Sequence, residues 1–118
     1  MIKIRRLLKS FQYAGKGLIK TFREEQNLRI QTIAALIALA LGLIFSLDRR
    51  EWAILILTIG LVVLMEITNS AVERITDILK PRIDNYVKEI KDIMAAAVMF
   101  ASLLAVLVGL IIFWPHIF

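Results

Sequence analysis

Uncharged residues run without a break from 30 to 47 (IQTIAALIALALGLIFSL) and again from 93 to 118. These runs of 18 and 26 positions are each long enough for an α-helix to cross a bilayer. Between them, Trp52 to Met65 gives 14 uncharged residues, too few alone. Carried on through Glu66 to Val72 the stretch reaches 21 and, at ~1.5 Å per residue, crosses the ~30 Å hydrocarbon layer. Trp52 then stands where an interfacial anchor belongs. The pattern predicts three membrane helices, over 30–47, 52–72 and 93–115, the middle one with a carboxylate inside it.

Ahead of the first span, the pattern is amphipathic. Stepping about 100° per residue from Ile4 brings Leu7, Leu8, Phe11, Leu18, Ile19 and Phe22 onto one stripe, with Arg6, Lys9, Lys16 and Lys20 opposite. This predicts a helix over 1–28 lying in the membrane interface, basic side toward headgroups and cytosol. On the same wheel Glu24 faces solvent, whereas Glu25 falls on the apolar stripe and needs a partner. That partner is either Arg29, four residues on, or a cation held at the membrane surface. Gly15 and Gly17 bracket Lys16, but no G-x-x-x-x-G-K-[ST] string exists, so this is no P-loop.

Composition agrees with a membrane protein. Of 118 residues, 59% are hydrophobic, above the roughly 45–50% of soluble domains, and the length allows one domain, 1–118. With no cysteine and a single histidine, His116, thiol nucleophiles, zinc-thiolate sites and His-based triads are excluded. Lys and Arg fall thirteen in residues 1–29 and 74–92 and two in the DRRE loop, which places the N-terminus and a 74–92 loop in the cytoplasm and the C-terminus outside. Residues 1–31 hold eight bases and two acids, more than the whole net charge of +5. The basic excess thus faces the membrane and gives no nucleic-acid surface. The apolar run begins too late, after too long a basic segment, for a cleaved signal peptide.

Chemistry concentrates in EITNSAVERITD. Glu66, Asn69, Ser70, Glu73 and Asp77 share one helical face, which Thr68 and Thr76 do not. With residue 72 at the hydrocarbon edge, Glu66 lies about 9 Å inside it by helix rise. A carboxylate at mid-span opposes insertion by ~3 kcal/mol, less near the edge, and marks a functional site by default. Interhelical glue is the bland alternative. Two carboxylates seven residues apart exceed what glue requires. Glu66, partly desolvated, suits a general base that takes a proton from a lipid hydroxyl at headgroup depth, and Glu73, nearer water, suits Mg²⁺.

Pro81 ends the second helix, and a charged stretch leads to Lys91 and Asp92 just before AAAV. Lys91 either snorkels and sets topology or meets a phosphate at the helix start. Ala97, Ala101, Ala105 and Gly109, like Ala34, Ala38 and Gly42, form small-residue ridges that let helices approach closely. Three helices enclose little space, so a polar site draws walls from neighbouring chains, and a homo-oligomer is expected. A rival reading, a channel or holin-like bundle with the Glu66 stripe lining a pore, leaves Glu25, Lys91 and Asp92 without a role.

YAGKGL (13–18), EITNSAVE (66–73) with Asp77, and Lys91-Asp92 followed by AAAV together make the chain resemble the small bacterial integral-membrane diacylglycerol kinases, among them the undecaprenol kinases of Gram-positive bacteria. The resemblance covers essentially the whole length. It implies an all-α, polytopic lipid kinase of the bacterial inner membrane that uses MgATP to phosphorylate a lipid alcohol, assembled as a homotrimer with active sites where subunits meet. Carried onto matching positions, it implies Glu66 as catalytic base, Asn69 as a site-organising amide and Glu25 with Glu73 as metal-bridging carboxylates. It further implies nucleotide contacts at Arg6, Tyr13, Arg82, Asp84, Lys91 and Asp92, which decides Lys91 for the phosphate. Two departures, Gln31 in place of an acidic residue and Gly15 in place of an aromatic one, bear on the choice of lipid. The KDIMAAAV run is closer to the undecaprenol kinases and favours a long polyprenol over diacylglycerol.

Overall fold

In the computed structural model, which describes residues 1–80 and 84–118, the described chain is all-α: α1 (Ile4–Glu24), α2 (Gln26–Ile44), α3 (Arg49–Leu79) and α4 (Asp84–Ile117). α2, α3 and α4 are each long and apolar enough to cross a membrane. α1 buries none of its residues. Its stripe of Leu7, Leu8, Phe11, Leu18, Ile19 and Phe22 stays exposed, as suits a helix whose apolar side is covered by lipid rather than by protein.

The amphipathic helix stops at Glu24, short of the 1–28 expected, and α2 starts at Gln26, before the uncharged run. Glu25 between them is extended (φ −105°, ψ 108°). Its N–H still donates to Thr21 O at 2.8 Å, and Arg29 Nη1 donates to Arg23 O at 2.6 Å, which satisfies carbonyls left open at the helix end. A single non-helical residue thus separates the amphipathic helix from the first apolar span, among the polar EEQN residues.

α2 ends in a Schellman closure. Leu47 N–H donates to Gly42 O and Ser46 N–H to Leu43 O, with Ser46 in the left-handed region at φ 52° where glycine is usual. Asp48 then opens α3 with a capping box: its side chain accepts from Glu51 N–H at 2.8 Å, and Glu51 Oε1 accepts from Asp48 N–H at 3.2 Å. The other Glu51 oxygen meets His116 Nε2 at 2.8 Å, tying the last turns of α4 to the start of α3. Beneath this tie lies a small core of Leu47, Leu55 and Ile112, flanked by Trp52 and Phe113. Gly42 is tightly enclosed there, since a Cβ on it would stand 2.7 Å from Trp52 Cη2 and 3.1 Å from Leu47 Cδ1. Overpacking of this kind destabilises by about 1–3 kcal/mol. Gly42→Ala is therefore expected to lower the thermal unfolding midpoint in detergent, and an unchanged midpoint would mean that Trp52 gives way freely.

The charged segment 74–92 is not a loop. α3 continues to Leu79 and α4 begins at Asp84, so helix occupies most of it. Val87 explains the difference, being only 1% exposed, and Asp84 places a carboxylate at the N-terminal turn, where the helix dipole favours it. The end of the second helix expected at Pro81, which itself lies outside the described residues, agrees with α3 reaching Leu79; the difference is a last helix that starts at Asp84 rather than at 93. At ~1.5 Å per residue, the 31 residues of α3 span about 46 Å, roughly 16 Å more than the hydrocarbon layer. α4 packs chiefly along α3, and α2 touches α3 less. Parts of the small-residue ridges of α2 and α4, Ala34 and Ala38 with Ala105 and Gly109, line an apolar cavity of about 320 Å³ together with Leu55, Thr58 and Val62 of α3, with Gln31 among the few polar groups.

Candidate active site

The polar face of α3 grades from buried to exposed toward the helix end. Glu66 is 1% exposed and Ser70 3%. Asn69 and Glu73 are half-buried and Asp77 is open, so the two most enclosed members of the face, Glu66 and Ser70, stand one turn apart. Thr76, on another face, is buried as well and donates from Oγ1 to Glu73 O at 2.9 Å, which fixes the turn that carries Glu73.

Three buried oxygens at this level have no hydrogen-bond partner: Glu66 Oε2, Ser70 Oγ and Gln31 Oε1. Gln31, on α2, stands beside Glu66. Leaving such a group unsatisfied costs about 1–3 kcal/mol, a cost that proteins retain where a ligand supplies the missing partner. The charges of Glu25 and Glu73 also reach the Glu66 carboxyl, so the junction of α1 and α2 and the face of α3 bring three carboxylates into one neighbourhood.

On the more exposed side, Lys91 of α4 donates from Nζ to Asp77 Oδ1 at 2.8 Å. Lys91 also lies within electrostatic reach of Glu73 and Asp84. Arg74 pairs with Glu24. Among the described residues no ion pair joins Glu25 to Arg29, because Arg29 is engaged with Arg23 O; the structural pairing considered for Glu25 is absent.

Not every sequence candidate converges on this neighbourhood. Arg6 and Tyr13 lie exposed on α1, Tyr13 about 18 Å along the helix from Glu25 by its rise. Asp92 is exposed on α4, Asp84 is exposed at its start, and Arg82 lies outside the described residues. Conversely, the sequence put Ser70 on the polar face without a role of its own and Gln31 only among the departures that bear on lipid choice. Ser70 sits at i+4 from Glu66, and Gln31 is an amide near one end of an apolar run; both signals were present. The Glu24–Arg74 pair, 50 residues apart in sequence, left no local signal.

Residues 12–113 match the family described as prokaryotic diacylglycerol kinase. The chain belongs to this family. It is 33% identical over 115 residues to the undecaprenol kinase of Bacillus subtilis (strain 168), covering 98% of this chain and 94% of that one. It is 31% identical over 111 residues to the diacylglycerol kinase of Escherichia coli (strain K12), covering 94% and 91%. The diacylglycerol kinase of Helicobacter pylori (strain J99) is 33% identical over 113 residues, covering 96% and 81%. The protein is thus a membrane-embedded lipid kinase, and the channel reading falls away.

Proposed function

We propose that this kinase transfers the γ-phosphoryl group of ATP to the hydroxyl of undecaprenol at the cytoplasmic face of the bacterial inner membrane, with its N-terminus in the cytoplasm and its C-terminus outside. The observation that carries the reading is the Glu66 carboxylate, buried in an apolar span with Oε2 unpartnered, about 9 Å inside residue 72 by helix rise. A lipid hydroxyl reaching that depth would donate to Glu66 Oε2. Glu66 takes its proton as the alcohol oxygen attacks the γ-phosphorus, the bond from phosphorus to the β,γ-bridging oxygen breaks, and ADP leaves with those electrons. Asn69, one turn on, organises the same face.

Phosphoryl transfer asks mostly for positioning and charge neutralisation. Among the described residues no three or more acidic or histidine side chains form a metal cage. Mg²⁺ is usually held by one or two carboxylates together with phosphates and water, and Glu25 and Glu73, half-buried carboxylates within electrostatic reach of Glu66, are a donor set of that kind. They would hold the ion, whose chemistry is to offset phosphate charge. Lys91, kept in place by Asp77, and Asp92 would meet the nucleotide, with Arg6, Tyr13, Arg82 and Asp84 as further contacts. Three helices bury few residues among themselves, which supports a homo-oligomer, a homotrimer by the family resemblance, whose neighbouring chains would complete the site and bring Arg6 and Tyr13 to it.

The similarity to the Bacillus undecaprenol kinase favours a polyprenol. Diacylglycerol is the second reading, on the similarity to the Escherichia enzyme. Mg²⁺-dependent ATP consumption in mild detergent, with no lipid, with undecaprenol and with a short-chain diacylglycerol, decides between them. Turnover is expected to need both metal and lipid and to be faster with undecaprenol. No lipid-dependent turnover in a folded oligomer would overturn the reading.

A further inference from the structure

α1 buries nothing, so few contacts fix its direction. Two side-chain contacts from other helices reach its end among the described residues. Arg29 of α2 donates to Arg23 O across the Glu25 junction, and Arg74 of α3 pairs with the Glu24 carboxylate. The second contact is the one that crosses to α3. Its partners are the immediate sequence neighbours of Glu25 and Glu73, so the ion pair joins the two backbone segments that carry these carboxylates.

We infer that Glu24 and Arg74 are positioning residues, a latch that sets the spacing between Glu25 and Glu73 by holding the end of α1 against α3. The inference rests on the site proposed above. Without the pair, the extended residue at Glu25 is a hinge with a single remaining strap, and the membrane fixes the depth of α1 but not its heading. Both side chains are about half exposed, and an exposed pair biases an equilibrium by up to about fivefold. That is too little to decide whether the bundle folds. It is enough to decide how often two carboxylates on separate helices stand at one spacing, because the pair has few competitors.

The test is a charge swap read in two ways. Glu24→Arg and Arg74→Glu are each expected to lower lipid-dependent turnover about fivefold and to raise the half-saturating Mg²⁺ concentration by a similar factor. The double variant is expected to restore both to within about twofold. Because the chain has no cysteine, spin labels can be placed at Lys9→Cys and Lys80→Cys alone, with labelled chain diluted into unlabelled chain in vesicles. Each single reversal is expected to broaden the distance distribution between α1 and the end of α3, and the double swap to narrow it again. Unchanged distributions in both reversals would overturn the latch, and so would a double swap no better than the singles. Broadened distributions with unaltered turnover and Mg²⁺ dependence would overturn its link to the site. The distances are read without turnover, so failure of the lipid-kinase assay in the unmodified chain would count against the function alone.

Discussion

Glu66→Gln is expected to lower kcat by about 10²–10⁴-fold, the range associated with a positioned general base, while leaving assembly and ATP binding near the unmodified level. The substitution keeps the shape of the side chain and removes the carboxylate that would accept the lipid's proton. Its effect on stability points the other way. Glu66 is buried with Oε2 unpartnered, and a neutral amide is easier to bury than an ionised carboxylate, so the thermal midpoint should hold or rise. Residues kept for chemistry at the expense of stability behave in this way. Turnover at the unmodified rate would remove Glu66 from the mechanism, and a large fall in the midpoint would recast it as a structural residue.

The second large effect is expected at the two neighbouring carboxylates. Neutralising a metal-bridging group removes charge stabilisation worth several kcal/mol, so Glu73→Gln or Glu25→Gln should each lower turnover by about 10²-fold or more. What separates them from Glu66 is the metal response. Each should raise the Mg²⁺ concentration needed for half-maximal rate, whereas Glu66→Gln should leave it alone. The double variant should lose little more than the worse single, as for groups that serve one ion. A Mg²⁺ titration of the four proteins checks this; parallel curves for all of them would sink the bridging assignment.

Much of the fold was legible in the hydrophobic pattern. Three spans and an amphipathic leader follow from the spacing of apolar residues, because a bilayer fixes the length of a helix that crosses it. What escaped was set by contacts rather than composition. The helical extension from Asp84 carries one buried anchor, Val87, and an acidic first turn in place of an apolar run, and α1 ends at one extended residue, Glu25. At the site, Glu66, Asn69, Ser70 and Glu73 are legible because a helix converts spacing into a face. Gln31 was noticed as a departure from a pattern, but its place beside Glu66 needed α2 and α3 packed together. The Lys91–Asp77 and Glu24–Arg74 pairs each join separate helices, and no periodicity within one segment encodes such a partner.

The depth of Glu66 has a consequence for how the reaction must be quantified. In the proposed mechanism the Glu66 carboxylate, below the level of the headgroups, is reached by an alcohol diffusing sideways within its own leaflet and not by one dissolved in water. The concentration that matters is then two-dimensional. Adding membrane at a fixed amount of substrate dilutes that substrate and slows the enzyme, even though the bulk molarity of the alcohol is unchanged. The product keeps its tail in the same sheet, so the newly charged headgroup can swing out to water while the molecule never leaves the film it came from.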